Sequence, residues 1–217
     1  MKIDLLKRFF LYCTLTKNEY ALIKPMVWLR NRQTLRITSV LSALMGLVFY
    51  IVNKLTSSGV LLPYLLLFGG SGAIYLLLKF MKRAEKSEWI SMVLCYTQML
   101  FVCAYAGVLS IQQSNFAIPA TSIIVFIALL PLSIDDRPIR MYTVMLVESA
   151  AYLFVSHAMK SAAAFSLDLL NTTTFCVVGM ILYSVICVRN VREIYQGAKV
   201  EKIQQSIISS LAEVVEE

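Results

Sequence analysis

Residues 169–217 read LLNTTTFCVVGMILYSVICVRNVREIYQGAKVEKIQQSIISSLAEVVEE. The first part, 169–188, is apolar and long enough to cross a bilayer as a helix, which takes about 20 residues. The last part, from Lys199, is polar but keeps a seam. Val200, Ile203, Ile207, Leu211 and Val214 recur at steps of three, four, four and three, a coiled-coil pattern with one stutter. The sequence stops at Glu216 and Glu217 with no Gly or Asn cap and no basic last turn. A membrane helix that leaves the bilayer as a seam and ends uncapped reads as an output lever whose load lies beyond it. The expectation is the sensor and transmitter part of a membrane signalling protein, without its catalytic domain.

Working back from this stretch, five more apolar runs precede it. Of the 217 residues, 59% are apolar and 15% charged, against about 45–50% and about 25% in soluble domains. The runs are 37–55, 60–80, 89–111, 116–132 and 141–158, with 169–188 as the sixth. The basic segment before them is not a secretory signal, because the apolar run starts too late and no small-residue cleavage site follows. The fold class expected is all-α: a polytopic six-helix transmembrane bundle with a coiled-coil-like signalling helix at its C-terminus. Residues 1–36 form a basic interfacial segment, 37–188 the bundle and 189–217 the signalling helix.

Lys and Arg orient the bundle. Eighteen of the twenty fall on one side: eight in 1–36, Lys79, Lys82, Arg83 and Lys86 after the second run, Arg137 and Arg140 after the fourth, and Arg189, Arg192, Lys199 and Lys202 after the sixth. Lys54 and Lys160 alone face the other way. Both termini are therefore expected in the cytoplasm of a multi-pass cell-membrane protein. The net charge of +7 is explained by topology and needs no nucleic-acid partner. The outer loops, about 56–59, 112–115 and 159–168, are too short for a ligand-binding domain. A stimulus has to reach the helices through lipid, a partner, or a small hydrophobic or outer-surface ligand.

Within 1–36, Thr16 and Glu19 form a capping box that starts a helix. Pro25 is expected to interrupt or kink it. The first ten residues either lie amphipathically on the inner leaflet or form a helical collar packed on the output helix.

Polar residues inside the runs are the candidate sensing residues. Glu148 lies eight residues past Arg140, roughly 12 Å deep. A carboxylate there costs several kcal/mol unless protonated or paired, so it reads as a ligand contact, proton sensor or helix latch, or else as a neutral hydrogen-bonded Glu. Asp168, Asn171 and Thr172 share a face at the start of the sixth run, and His157 ends the fifth. An Asp168–His157 pair would make a pH switch or merely a wet helix end. Tyr96, Gln98 and Tyr105, with Gln112, Gln113 and Asn115 beyond, read equally as the lining of an outward pocket and as interface aromatics and ordinary bundle contacts. The stretch Gly69, Gly70, Ser71 and Gly72 reads as close helix packing. The cysteines (Cys13, Cys95, Cys103, Cys176, Cys187) show no CxxC spacing and read as small apolar residues. No metal site, cofactor motif or catalytic constellation is legible.

Three stretches resemble the membrane regions of Firmicute-type signalling proteins that carry six N-terminal helices and a diguanylate cyclase (GGDEF) or HD-GYP output. They are Leu15 to Tyr20 continuing through Lys24-Pro25, Asn31-Arg32 and Leu35-Arg36, then Asp136-Arg137-Pro138-Ile139-Arg140, and Asp168 to Asn171. The stretch Ile203 to Glu216 resembles the linker and first helix of an HD-GYP phosphodiesterase. The Arg-Asp and Gly-His motifs of that family would lie beyond residue 217, so no metal-binding residue is carried over. The Asp-x-Leu-Thr-Gly start of a cyclase is absent. The resemblance implies a homodimer, joined through the tail, that regulates cyclic-di-GMP turnover. The competing expectations are a small six-span transporter or channel-like protein, disfavoured by the tail and the lack of an inverted repeat, and a scaffold recruiting a partner through the tail.

Overall fold

In the computed structural model, residues 2–56, 61–80, 87–112 and 122–216 are described. They form an all-α fold in the order α1 (Lys2–Tyr12), α2 (Lys17–Leu55), α3 (Leu62–Phe80), α4 (Glu88–Gln112), α5 (Ser122–Leu129) with a 3-10 turn at Leu130–Ser133, α6 (Pro138–Met159) and α7 (Ala162–Glu216). Among the described residues, five helices are long and apolar enough to cross a membrane, namely those containing the first, second, third, fifth and sixth runs. Of the fourth run, residues 116–121 lie outside the described residues, and the rest is α5 with its 3-10 turn. The expected outer turns at 57–59 and 113–115, and Lys82, Arg83 and Lys86, also lie outside them.

The capping box forms as expected. The Thr16 hydroxyl accepts the Glu19 N–H at 3.3 Å, and the Glu19 carboxylate accepts the Thr16 N–H at 2.8 Å. Pro25 does not interrupt the helix: α2 runs through it for 39 residues. Ala21 and Pro25 both lie on the exposed face, so the carbonyl that a proline N–H cannot serve is not sealed in the core. The basic segment and first run are thus one helix. Likewise α7 is a single 55-residue helix that passes through Gly197 without interruption.

Large apolar side chains such as Ile37, Leu44, Leu66, Leu146 and Ile181 are exposed on the outer faces. A protein in water rarely leaves so much apolar surface uncovered, so this bundle fits a membrane protein. Inside, small residues set the helix spacing. A Cβ on Gly46 would sit 2.7 Å from the Phe68 N and 2.9 Å from the Tyr64 carbonyl, so α2 and α3 touch backbone to backbone there. Gly70 meets the Phe101 ring of α4, while Gly69 and Gly72 face open space. The expected close packing along 69–72 therefore rests on Gly70 and on buried Ser71, whose hydroxyl accepts from Gln98 at 3.0 Å.

The largest buried cluster lies at the basic end. Cys13, Tyr20, Ile23, Val27 and Trp28 from the N-terminal segment pack against Leu78, Cys95, Met99, Met141, Tyr183, Cys187 and Val191. The core is thus continuous from the expected interfacial segment into the helices.

Candidate functional site at the junction of the bundle and α7

The short connection 134–137 joins the 3-10 turn to α6. It carries Asp135 and Asp136, which are 5% and 1% exposed. Such a connection has no regular backbone partners of its own, so its polar groups need others, and four helices supply them. From α2, the Asn31 amide donates to the Asp135 carbonyl at 2.7 Å and accepts the Asp135 N–H at 2.8 Å. From α7, the Tyr183 hydroxyl accepts the Asp136 N–H at 3.0 Å and donates to its carbonyl at 2.7 Å. The Cys187 thiol donates to the same carbonyl at 3.1 Å. From α4, the Tyr96 hydroxyl donates to the Asp136 carboxylate at 2.5 Å, and from α6 Arg140 lies 3.4 Å from it.

The Asp135 carboxyl accepts from the Asn190 amide at 2.9 Å and faces Arg30 at 3.6 Å. Burial pushes this carboxyl above its ordinary range, while Asn190 and Arg30 pull it back. Arg137 lies over the Tyr12 and Tyr20 rings, 5.7 Å from each centroid.

The N-terminal segment grips α7 just beyond this point. The Cys13 and Cys187 sulfurs are 3.6 Å apart, Arg192 donates to the Thr14 hydroxyl at 3.0 Å, and the Tyr195 hydroxyl donates to Glu19 at 3.0 Å. Cys13 and Thr14 turn the chain with φ of 50° and 75°, a left-handed conformation that non-glycine residues adopt at some cost. The Cys187 contact and burial hold the Cys13 thiol above its ordinary range, so it stays protonated. The Thr16 N–H holds the Glu19 carboxyl below its usual range. These contacts with α7 come from residues 13–19; α1 itself packs on α6, where the Phe10 and Tyr142 rings lie 5.9 Å apart, and leaves Leu5 and Leu6 exposed.

The other expected site residues are spread over the bundle. Asp168 does not meet His157. Its carboxylate accepts from Lys160 at 2.7 Å, Tyr152 at 2.7 Å and Ser156 at 2.7 Å, and the Lys160–Asp168 pair is fully buried. The reason is helical phase: Tyr152, Ser156 and Lys160 follow one face at steps of four, and His157 sits about 100° away. His157 instead packs edge-on against the Phe165 ring at 4.7 Å. Asn171 is half-buried next to fully buried Thr172.

The expected outward pocket of Tyr96, Gln98 and Tyr105 does not assemble. Tyr96 joins the Asp136 junction, Gln98 reaches Ser71, and Tyr105 packs on the Tyr64 ring at 5.9 Å. Gln113 and Asn115 lie outside the described residues. Glu148 is buried, its Oε2 accepts the Cys103 thiol at 3.3 Å, and it lines an apolar cavity of about 280 Å³. All five cysteines are free and buried. Among the described residues no group of three His, Cys, Asp or Glu is placed to hold a metal.

Sequence reasoning missed Asp135, Tyr183, Asn190 and the role of Lys160. One signal was available. Asp135 and Asp136 are an acidic pair on the side where eighteen of the twenty basic residues are expected.

Comparison of the chain with protein-family models, curated proteins and solved structures found no match. The class of protein therefore rests on the all-α apolar bundle and its junction with α7.

Proposed function

We propose that this chain is a membrane sensor and transmitter module, with both termini cytoplasmic. It passes a membrane-borne or small-ligand signal to a cyclic-di-GMP-metabolising output domain, with an HD-GYP phosphodiesterase favoured over a cyclase. The choice of output rests on the sequence resemblance of the tail. The observation that carries the transmitter reading is the continuity of α7. One helix holds the buried Asp168–Lys160 pair near its start, is gripped at Tyr183, Cys187, Asn190, Arg192 and Tyr195, and then projects Val200, Ile203, Ile207 and Leu211 as exposed apolar residues. About 30 Å of rigid helix separates Asp168 from the grip, and about 40 Å more reaches the end. A shift at the far end of the bundle has no break in which to dissipate.

A second copy of the chain is the partner for the exposed seam, because an output dimer brings two tails together. About two heptads are marginal alone, so the bundle supplies the local concentration. The test is single-cysteine crosslinking in membranes, with the five native cysteines replaced. Ile203, Ile207 and Val214 should crosslink readily, and Gln205 and Glu213 should not. Equal crosslinking at all five positions, or none at any, sinks the transmitter reading.

A further inference from the structure

The geometry points to the cavity beside Glu148 as a binding site for a small neutral hydrocarbon bearing one hydroxyl group, entering from the bilayer. The cavity lies between α4, α5 and α6 and has a volume of about 280 Å³. Its walls are apolar except for Glu148 and Tyr152. The Tyr152 hydroxyl is engaged by Asp168. Glu148 is 7% exposed, and its Oε1 has no hydrogen-bond partner among the described residues. Its Oε2 is held only by a thiol, a weak donor. A buried polar atom without a partner is uncommon and calls for one.

The terminal torsion of a Glu side chain is soft and roughly two-fold. A partial turn of the carboxyl therefore brings the unmatched oxygen toward the cavity that Glu148 lines, at the cost of no more than the thiol contact. A carboxyl oxygen accepts, and a carboxyl that holds a proton also donates. A hydroxyl group satisfies both, whereas a carboxylate ligand would repel and a bare hydrocarbon would leave the oxygen unmatched.

Size and access narrow the class further. A dry cavity of about 150 Å³ takes benzene, so this one suits a body of roughly six to ten carbons and excludes a whole phospholipid. Leu100 and Val108 on α4 and Val147 on α6 line the cavity and are also exposed on the outer face of the bundle. The opening therefore faces the surface that lipid would cover. Ala104 and Ala151 are exposed small residues in the same lining, and they leave the gap between α4 and α6 open.

The probe is a diazirine-bearing octanol, photolysed with the full chain in phospholipid nanodiscs and mapped by mass spectrometry. Label should concentrate on residues 100–111 and 147–155, and excess 1-octanol should displace it about tenfold better than octane, the value of one buried hydrogen bond. The double variant Ala104→Leu, Ala151→Leu fills the opening at exposed positions and should lower cavity labelling to that of the α2 outer face, residues 37–48. Glu148→Leu should abolish the preference for octanol over octane, and Glu148→Gln should keep it. Labelling of the cavity no stronger than that of 37–48, or unchanged by the double variant, overturns the site. An octanol preference that survives Glu148→Leu overturns the role of Glu148. The readout does not involve the tail, so it fails or succeeds separately from crosslinking of the seam.

Discussion

Replacing Asn31 by Leu tests whether the Asp135–Asp136 connection is clamped or merely adjacent to α2. Asn31 is 1% exposed, and its amide makes both hydrogen bonds to the Asp135 backbone, at 2.7 and 2.8 Å. Leu has a similar volume, so little cavity opens, but the Asp135 N–H and carbonyl both lose their partner. Each buried group left unmatched costs about 1–3 kcal/mol, giving about 2–6 kcal/mol together. For a chain of this size, 1 kcal/mol moves the midpoint of thermal unfolding by about 2–4 °C, so the shift should be at least about 4 °C. The five cysteines are free and buried, which makes a thiol-reactive fluorophore in detergent a direct reporter of opening. Asn31→Asp keeps the acceptor but sets a carboxylate against the Asp135 carbonyl, and it should be at least as damaging. The control is Thr174→Val, since Thr174 is exposed and bonds only within its own helix, to the Leu170 carbonyl. An Asn31→Leu midpoint within about 1 °C of that control would show that α2 does not hold the connection.

Three further outcomes are expected. Asp168→Asn leaves the Lys160 ammonium without its carboxylate in a fully buried site and should destabilise by about 3–5 kcal/mol, with much of the loss restored by Asp168→Leu combined with Lys160→Met; the same unfolding assay reads both, and an unaltered single variant would refute the pair's role. Gly46→Ala forces a Cβ to within 2.7 Å of the α3 backbone and should cost about 1–3 kcal/mol, whereas Gly69→Ala meets nothing and should gain up to about 1 kcal/mol in helix propensity; equal midpoints would remove the close contact of α2 and α3. The folded chain holds the Glu19 carboxyl below its ordinary value of 4.5, so its contribution is present above that value and lost as pH falls through the lower folded one; the midpoint gap between the native chain and Glu19→Gln should narrow on acidification from about pH 6 to about pH 3.5, and a gap that widened would reverse the assignment.

The helices were legible because their signals are local. A long apolar run that must satisfy its backbone internally becomes a helix whatever surrounds it, and the Thr16–Glu19 box closes within four residues. The helix that carries Val200, Ile203, Ile207 and Leu211 as exposed residues is likewise continuous with the last apolar run. Whether Pro25 ends the helix depends on which face it occupies, and that is set by packing. The phase of α6 decided that Asp168 meets Tyr152, Ser156 and the Lys160 that follows them and not His157, which sits about 100° round the helix from that face.

The amino-acid sequence by itself determined that this chain is helical, that its helices are long and apolar, and that a polar stretch with regularly spaced apolar residues follows the last of them. Tertiary structure alone decided where the helices meet. Asn31 and Asp135 are 104 residues apart, and Cys13 and Cys187 are 174 apart. Their contacts depend on the rotation and height of separate helices, which are fixed by collective side-chain packing and by close passages such as Gly46 against α3. Apolar periodicity specifies that a face is buried, but it does not name the face opposite. The junction that grips α7 exists only once the bundle has closed around it.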